Sequence, residues 1–129
     1  MLNKILSKIN KVRARRREAR KSKTRSSEWS EVRDRHLEMF PVCAGCGGAT
    51  QLQVHHIVPF HVSPDLELVP QNLITLCMGD HDCHLKLGHG GAFRCYNPEI
   101  TKDVKVFRES GPGRRLMLLK EIREKRLVG

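Results

Sequence analysis

Cys43-Ala44-Gly45-Cys46-Gly47-Gly48 constrains this 129-residue chain more than any other stretch. A tight turn between the two cysteines directs both sulfurs at one ion, and the glycines let backbone N–H groups approach those sulfurs. Cys77 and Cys83 supply a second pair, with Met78-Gly79-Asp80-His81-Asp82 between them, an interval longer than the usual two to four residues. The pattern points to a structural zinc ion on Cys43, Cys46, Cys77 and Cys83. Five cysteines in a chain read as intracellular argue for metal rather than disulfides, because a reducing compartment keeps thiols free. A 14.8 kDa chain with 39% hydrophobic and 5% aromatic residues is one domain with modest apolar area to bury, so a metal staple suits it. No apolar run is long enough to span a membrane, and Asn3, Lys4, Ser7 and Lys8 break up the start too much for a secretory signal.

Bringing Cys46 and Cys77 to one ion closes a loop that contains Val54-His55-His56-Ile57-Val58-Pro59 and Asn72. Gln51–Ile57 begins with the alternation of a half-buried strand, and Leu73-Ile74-Thr75-Leu76 reads as a second strand. Asp82–Leu87 reads as a helix opening from an Asp cap and ending near Gly88. Two strands and a helix thus gather His55, His56, Asn72 and His84.

Cys43-x2-Cys46, His55-His56-Ile57-Val58-Pro59, Asn72-Leu73-Ile74-Thr75-Leu76-Cys77 and Cys83-His84, in that order, resemble the HNH endonuclease family over about Ser26 to Pro98. The resemblance implies an α+β fold: a small ββα-metal core stapled by the structural zinc and flanked by helices. It implies DNA cleavage with one catalytic divalent ion. By the same resemblance His55 and His84 are ligands of that ion, His56 is the general base, and Asn72 orients the loop carrying the base. His89, five residues after His84, is a candidate third ligand or phosphate contact, although Gly88 interrupts the spacing. If Asp80-His81 took the place of Cys83-His84, His81 would be the ligand instead; the adjacent Cys-His pair and the count of four thiolates favour His84. Cys95 has no partner in this scheme and reads as a small buried residue near Phe93 and Tyr96. His61 reads as a surface residue.

The residue chemistry fits these roles. Neighbouring side chains on a strand diverge, so one imidazole can grip a cation while the other faces an attacking water. An imidazole with an ordinary pKa of about 6.5 is largely neutral at physiological pH and able to accept a proton. Mg²⁺ prefers oxygen ligands, whereas Mn²⁺, Ni²⁺, Co²⁺ or Zn²⁺ tolerate imidazole better.

Charge divides the chain sharply. Met1–Arg25 holds eleven Lys or Arg and one acid, Glu18, so this arm carries the entire formal surplus of +10. A basic arm on a neutral body suggests a nucleic-acid partner, double-stranded DNA first, with Arg13, Arg15, Arg16, Arg17, Arg20 and Lys21 as contacts. Leu2, Ile5, Leu6, Ile9 and Val12 at helical spacing predict a helix fading into a flexible basic tract; a solvated tail or a transit peptide are the competing readings. Ser26-Ser27-Glu28 reads as a helix start, with Trp29, Val32, His36 and Phe40 inward and Pro41 as the stop, and both Trp29 and His36 read as core packing. From Pro112, Leu116, Leu119 and Ile122 with Met117, Leu118 and Leu127 predict a basic helix that packs on the body, dimerises or follows a nucleic-acid backbone. The divisions are 1–25, 26–111 and 112–129. The leading reading is a metal-dependent endonuclease of the kind used in homing, phage packaging, restriction or defence, acting as monomer or dimer. The alternative is a zinc-stabilised nucleic-acid-binding module without catalysis.

Overall fold

The computed structural model describes residues 2–22, 24–79 and 81–129, the stretch 14–22 as backbone only. Helix α1 spans Leu2–Ser22, further than the apolar spacing of Leu2–Val12 marks, through a stretch rich in the helix formers Ala and Arg. Its described apolar residues, Leu2, Ile5, Leu6, Ile9 and Val12, are exposed.

Helix α2 spans Trp29–Met39 and ends just before Pro41, as expected. It starts after Glu28, whose N–H donates to Ser26 Oγ. His36 is buried on its inner face, against the ring of Phe40. Strands β1 (Leu52–His56) and β2 (Leu73–Cys77) form an antiparallel pair with Leu52 opposite Cys77, His55 opposite Ile74 and His56 opposite Leu73. Both predicted strands are therefore present.

The predicted helix over Asp82–Leu87 is instead one wide π-type turn, His84–Gly88, closed by the His89 N–H donating to His84 O at 3.1 Å. Asp82 does not cap it. Its backbone is left-handed, φ +45°, not the extended conformation of an N-cap, and this bend swings Cys83 inward to the other cysteines.

Strand β3 (Cys95–Tyr96) pairs antiparallel with β4 (Leu127–Val128). Between them lie α3 (Ile100–Glu109), which has no counterpart among the expected elements, and α4 (Pro112–Lys125). Ile100, Val104 and Phe107 place one face of α3 in the core beside Cys83, Leu87, Leu76, Leu118 and Ile122. The expected helix from Pro112 is present, and its inner face is Leu118 and Ile122, with Leu119 packed against the core and Leu116 and Met117 exposed. Arg115 sets that orientation, because its guanidinium stacks on Phe107 at 4.5 Å and its Nε–H donates to Phe107 O at 2.8 Å. The fold is α+β, with the Cys cluster at one end of the small hairpin. Among the described residues no helix is long and apolar enough to cross a membrane.

Candidate active site and metal centre

Four sulfurs meet where the knuckle, the end of β2 and the bend at Asp82 converge. The Sγ atoms of Cys43, Cys46, Cys77 and Cys83 all lie within 4.8 Å of one another, close enough to hold one metal ion. The turn is tied by the Cys43 N–H to Gly48 O (2.7 Å) and joined to β2 by the Ala44 N–H to Thr75 O (2.9 Å). Backbone amides point at the sulfurs as the sequence leads one to expect: Gly48 N–H at Cys46 Sγ (3.4 Å) and Cys77 N–H at Cys43 Sγ (3.3 Å). A Cβ on Gly45 would stand 2.7 Å from Leu87 Cδ1 and 3.0 Å from Cys83 Sγ, so only glycine lets the second half-site close on the first. The Cys83 thiol donates to Cys43, and that hydrogen bond with those from backbone N–H groups pulls Cys43 down to about 4, against the opposing effect of burial. Cys83, keeping the proton, is pushed far up. A thiolate among close thiols is a donor set suited to a thiophilic divalent cation.

The second cluster is made of imidazoles. His55 points from β1 towards the wide turn, where it meets His84 and His89; the ring centroids are 5.1, 4.8 and 4.9 Å apart pairwise. One ring nitrogen from each lies within 4.8 Å of the others. A π-type turn brings residues five apart to the same side, which an α-helix does not, so the shape of the turn is what adds His89. Gly88 serves the same end: a Cβ there would stand 3.0 Å from His55 Cε1. His89 Nδ1–H donates to Cys95 O at 2.7 Å, which leaves its Nε2 lone pair facing His84 Nε2 at 3.2 Å. Buried His55 Nε2 has no hydrogen-bond partner among the described residues. Burial first, then the neighbouring imidazoles, holds His55 well below its ordinary pKa, and the same causes lower His84 to about 4. Burial also lowers His89. Three neutral rings with converging nitrogens, with His55 Nε2 and His84 Nδ1 both buried and unpartnered among the described residues, fit a divalent cation.

His56 faces the other side of β1. Its Nε2–H donates to Glu67 O at 3.0 Å, which fixes the tautomer and leaves the lone pair on Nδ1. The Trp29 ring lies 4.4 Å away, so Trp29 walls this histidine rather than packing in a general core. Arg25 Nη1 approaches Nδ1 at 3.5 Å. Burial foremost, with the Arg25 charge adding, lowers the His56 pKa and keeps the ring neutral.

Asn72 clamps the segment between these elements. Its Oδ1 accepts from Val58 N–H (2.8 Å), and its Nδ2 donates to Val58 O and Leu66 O (3.1 Å each). Leu66 O is next to the Glu67 carbonyl that holds His56, so Asn72 fixes that carbonyl indirectly.

His81 is exposed and outside both clusters, while Asp80 lies outside the described residues; His84, not His81, sits with His55. His61 is exposed. Cys95 is buried, and its carbonyl rather than its thiol touches the site. Arg13 is exposed on α1; the side chains of Arg15, Arg16, Arg17, Arg20 and Lys21 lie outside the described residues. Arg25 and Glu67 are not among the predicted site residues, and no local spacing marks them, since they meet His56 only through the tertiary fold.

No curated protein and no solved structure matches the chain. Residues 43–90 match the HNH endonuclease family model. That segment opens at Cys43, closes one residue past His89 and takes in both clusters, His56 and Asn72, so the part of the chain that carries both clusters is the part similar to the HNH endonuclease family.

Proposed function

We propose that the chain is a divalent-metal-dependent DNA endonuclease, with His56 as general base, His55, His84 and His89 as ligands of the catalytic ion, and Cys43, Cys46, Cys77 and Cys83 holding a structural zinc. One observation carries the reading: a single strand presents a neutral, tautomer-fixed imidazole on one face and an imidazole with an orphaned buried nitrogen on the other. When bound, the catalytic cation supplies positive charge to the phosphate and the leaving oxygen as negative charge builds there.

His56 Nδ1 accepts a proton from the water whose oxygen forms the new bond to phosphorus. The P–O bond to the leaving sugar oxygen breaks, and that oxygen takes a proton from solvent. Glu67 O keeps Nε2–H in place throughout, so Nδ1 is the only nitrogen of the ring able to act as base. Asn72 keeps the 58–66 loop, and with it the Glu67 carbonyl, fixed. Each site cleaves one phosphodiester at a time.

Cys43–Ile100 contains only Lys86 and Arg94 as strong bases against five acids, so affinity for duplex DNA comes from the flanks, chiefly the 1–25 arm, with the 112–129 segment as a second basic flank. The thiolate site suits a reducing, intracellular setting.

Supercoiled plasmid incubated with the protein and Mg²⁺, Mn²⁺, Ni²⁺ or Zn²⁺ should be converted to nicked or linear forms, and His56→Ala should abolish conversion. Equal cleavage by the variant removes His56 from the chemistry. DNA binding without cleavage under every metal favours the non-catalytic binding module.

A further inference from the structure

The candidate ligands of the catalytic ion lie on the other face of β1, and a cationic side chain beside the base would give the phosphate a second contact; on the His56 side the matched segment itself supplies an acid, Glu67, whose side chain is almost fully buried. The cation comes from outside it. Arg25 reaches back from the end of the basic arm so that its guanidinium lies 4.7 Å from the Phe60 ring and 5.8 Å from that of Trp29. Two aromatic faces thus hold it over His56.

Its polar contacts are loose. Nη1 alone serves both His56 Nδ1, at 3.5 Å, and Glu67 Oε2, at 3.4 Å. A guanidinium has five N–H donors in a planar fork matched to two phosphate oxygens, and two long contacts from one nitrogen leave that capacity unspent. Glu67 does not depend on Arg25, because Ser26 N–H donates to its Oε1 at 2.8 Å. The side chain is half exposed, so an incoming phosphate can reach it.

We propose that Arg25 is the chain's own contact to the phosphate under attack, and that in the absence of DNA its guanidinium covers His56 Nδ1. The inference rests on the endonuclease reading above. Arrival of the phosphate exchanges the 3.5 Å contact for a charge-assisted one and bares the lone pair that takes the water's proton. The base is then exposed only when its substrate is present. Arg25 belongs to the basic arm, so the element that collects DNA also delivers the residue that uncovers the base.

The test measures single-turnover cleavage of a duplex oligonucleotide by the full chain, Arg25→Ala, Arg25→Lys and His56→Ala, with duplex affinity and thermal midpoint recorded for each. Arg25→Ala is expected to lower the cleavage rate constant roughly 10²-fold, the usual effect of losing one donor to a developing oxyanion. Its melting midpoint should stay near wild type and its duplex affinity should fall only slightly, since one cation among many is lost. Arg25→Lys keeps the charge without the fork and should recover part of the rate. A second readout needs no metal or turnover: the Arg25 Nε–H resonance should shift when duplex DNA is titrated into metal-free wild-type protein. If His56→Ala is inactive while Arg25→Ala cleaves at or above the wild-type rate, the Arg25 assignment is overturned and the endonuclease stands. An unmoved Arg25 resonance at saturating DNA overturns it as well. If His56→Ala cleaves like wild type, the endonuclease mechanism itself fails.

Discussion

Gly88 and Asn72 show how little slack the site has at the scale of single residues. Any side chain at Gly88 meets the His55 ring at 3.0 Å, so Gly88→Ala should weaken Ni²⁺ or Mn²⁺ binding roughly 10- to 100-fold by calorimetry, as displaced ligand orientation usually does, while the zinc content stays unchanged. Asn72→Ala strands Val58 N–H, Val58 O and Leu66 O. These hydrogen bonds are partly buried and each contributes roughly 0.5–1.5 kcal/mol, so urea unfolding should show a loss of about 1–3 kcal/mol; a loss near zero would mean that the loop is held some other way. His36 gives a pH signature. Its Nε2 is buried without a partner among the described residues, and burial lowers its pKa. The unfolded chain therefore takes up a proton near its ordinary pKa of about 6.5 while the folded chain does not, so wild type loses stability as the pH falls through that value. His36→Phe removes this one contribution, and its melting midpoint relative to wild type should rise between pH 7 and pH 5.

At the scale of elements, the wide turn His84–Gly88 replaces a helix, and Asn97 holds it. Asn97 N–H donates to Gly88 O at 3.0 Å and Asn97 Nδ2 to Leu87 O at 3.1 Å, while the same Nδ2 reaches Asp103 Oδ2 at 2.8 Å and Oδ1 accepts from Glu99 N–H at 3.0 Å. Asn97→Ala should loosen the start of α3 and the turn together; amide exchange at His89 and Asp103 should accelerate in parallel, and acceleration at only one would uncouple the two elements. Local signals made the hairpin, the knuckle and α2 legible: alternation, a Cys-x2-Cys turn, a helix ended by proline. Asn72 was legible through its place in the family pattern, and the clamp it makes explains that place. The turn was not legible, because it rests on contacts across the fold, the close approach of Gly88 to His55 and the Asn97 hydrogen bonds to Gly88 O and Leu87 O, which no local spacing marks. α3 offered Ile100, Val104 and Phe107 at helical spacing, a signal present but short. Which face of α4 turns inward is not marked by its apolar residues alone, because Arg115 docks on Phe107 across the fold.

For the whole molecule, the four sulfurs would act as a fold-wide staple once they hold the proposed zinc. Cys43, Cys77 and Cys83 lie in the same core as Ile100, Phe107, Leu118 and Ile122. Structural zinc contributes apparent binding energies of about 10–16 kcal/mol that double as folding energy. A thiol-directed chelator should therefore abolish the cooperative thermal transition, whereas a weak chelator that strips only the imidazole site should silence cleavage and leave the melt intact. A melt that survives complete zinc release counts against the staple. Duplex affinity should fall steeply with salt, with a slope of about −0.9 per phosphate neutralised; deleting residues 2–22 should flatten that slope and spare hydrolysis of a small phosphodiester such as bis(4-nitrophenyl) phosphate.

The separate roles proposed for His55 and His56 follow from the pleat of β1, whose side chains change face at every step. Removing or adding one residue between Leu52 and His56 should therefore interchange the two faces, sending one histidine's place among the imidazoles to the other and the vacated ring out beneath Trp29. A change of length within this strand should disturb both histidine faces at once, even where composition is preserved.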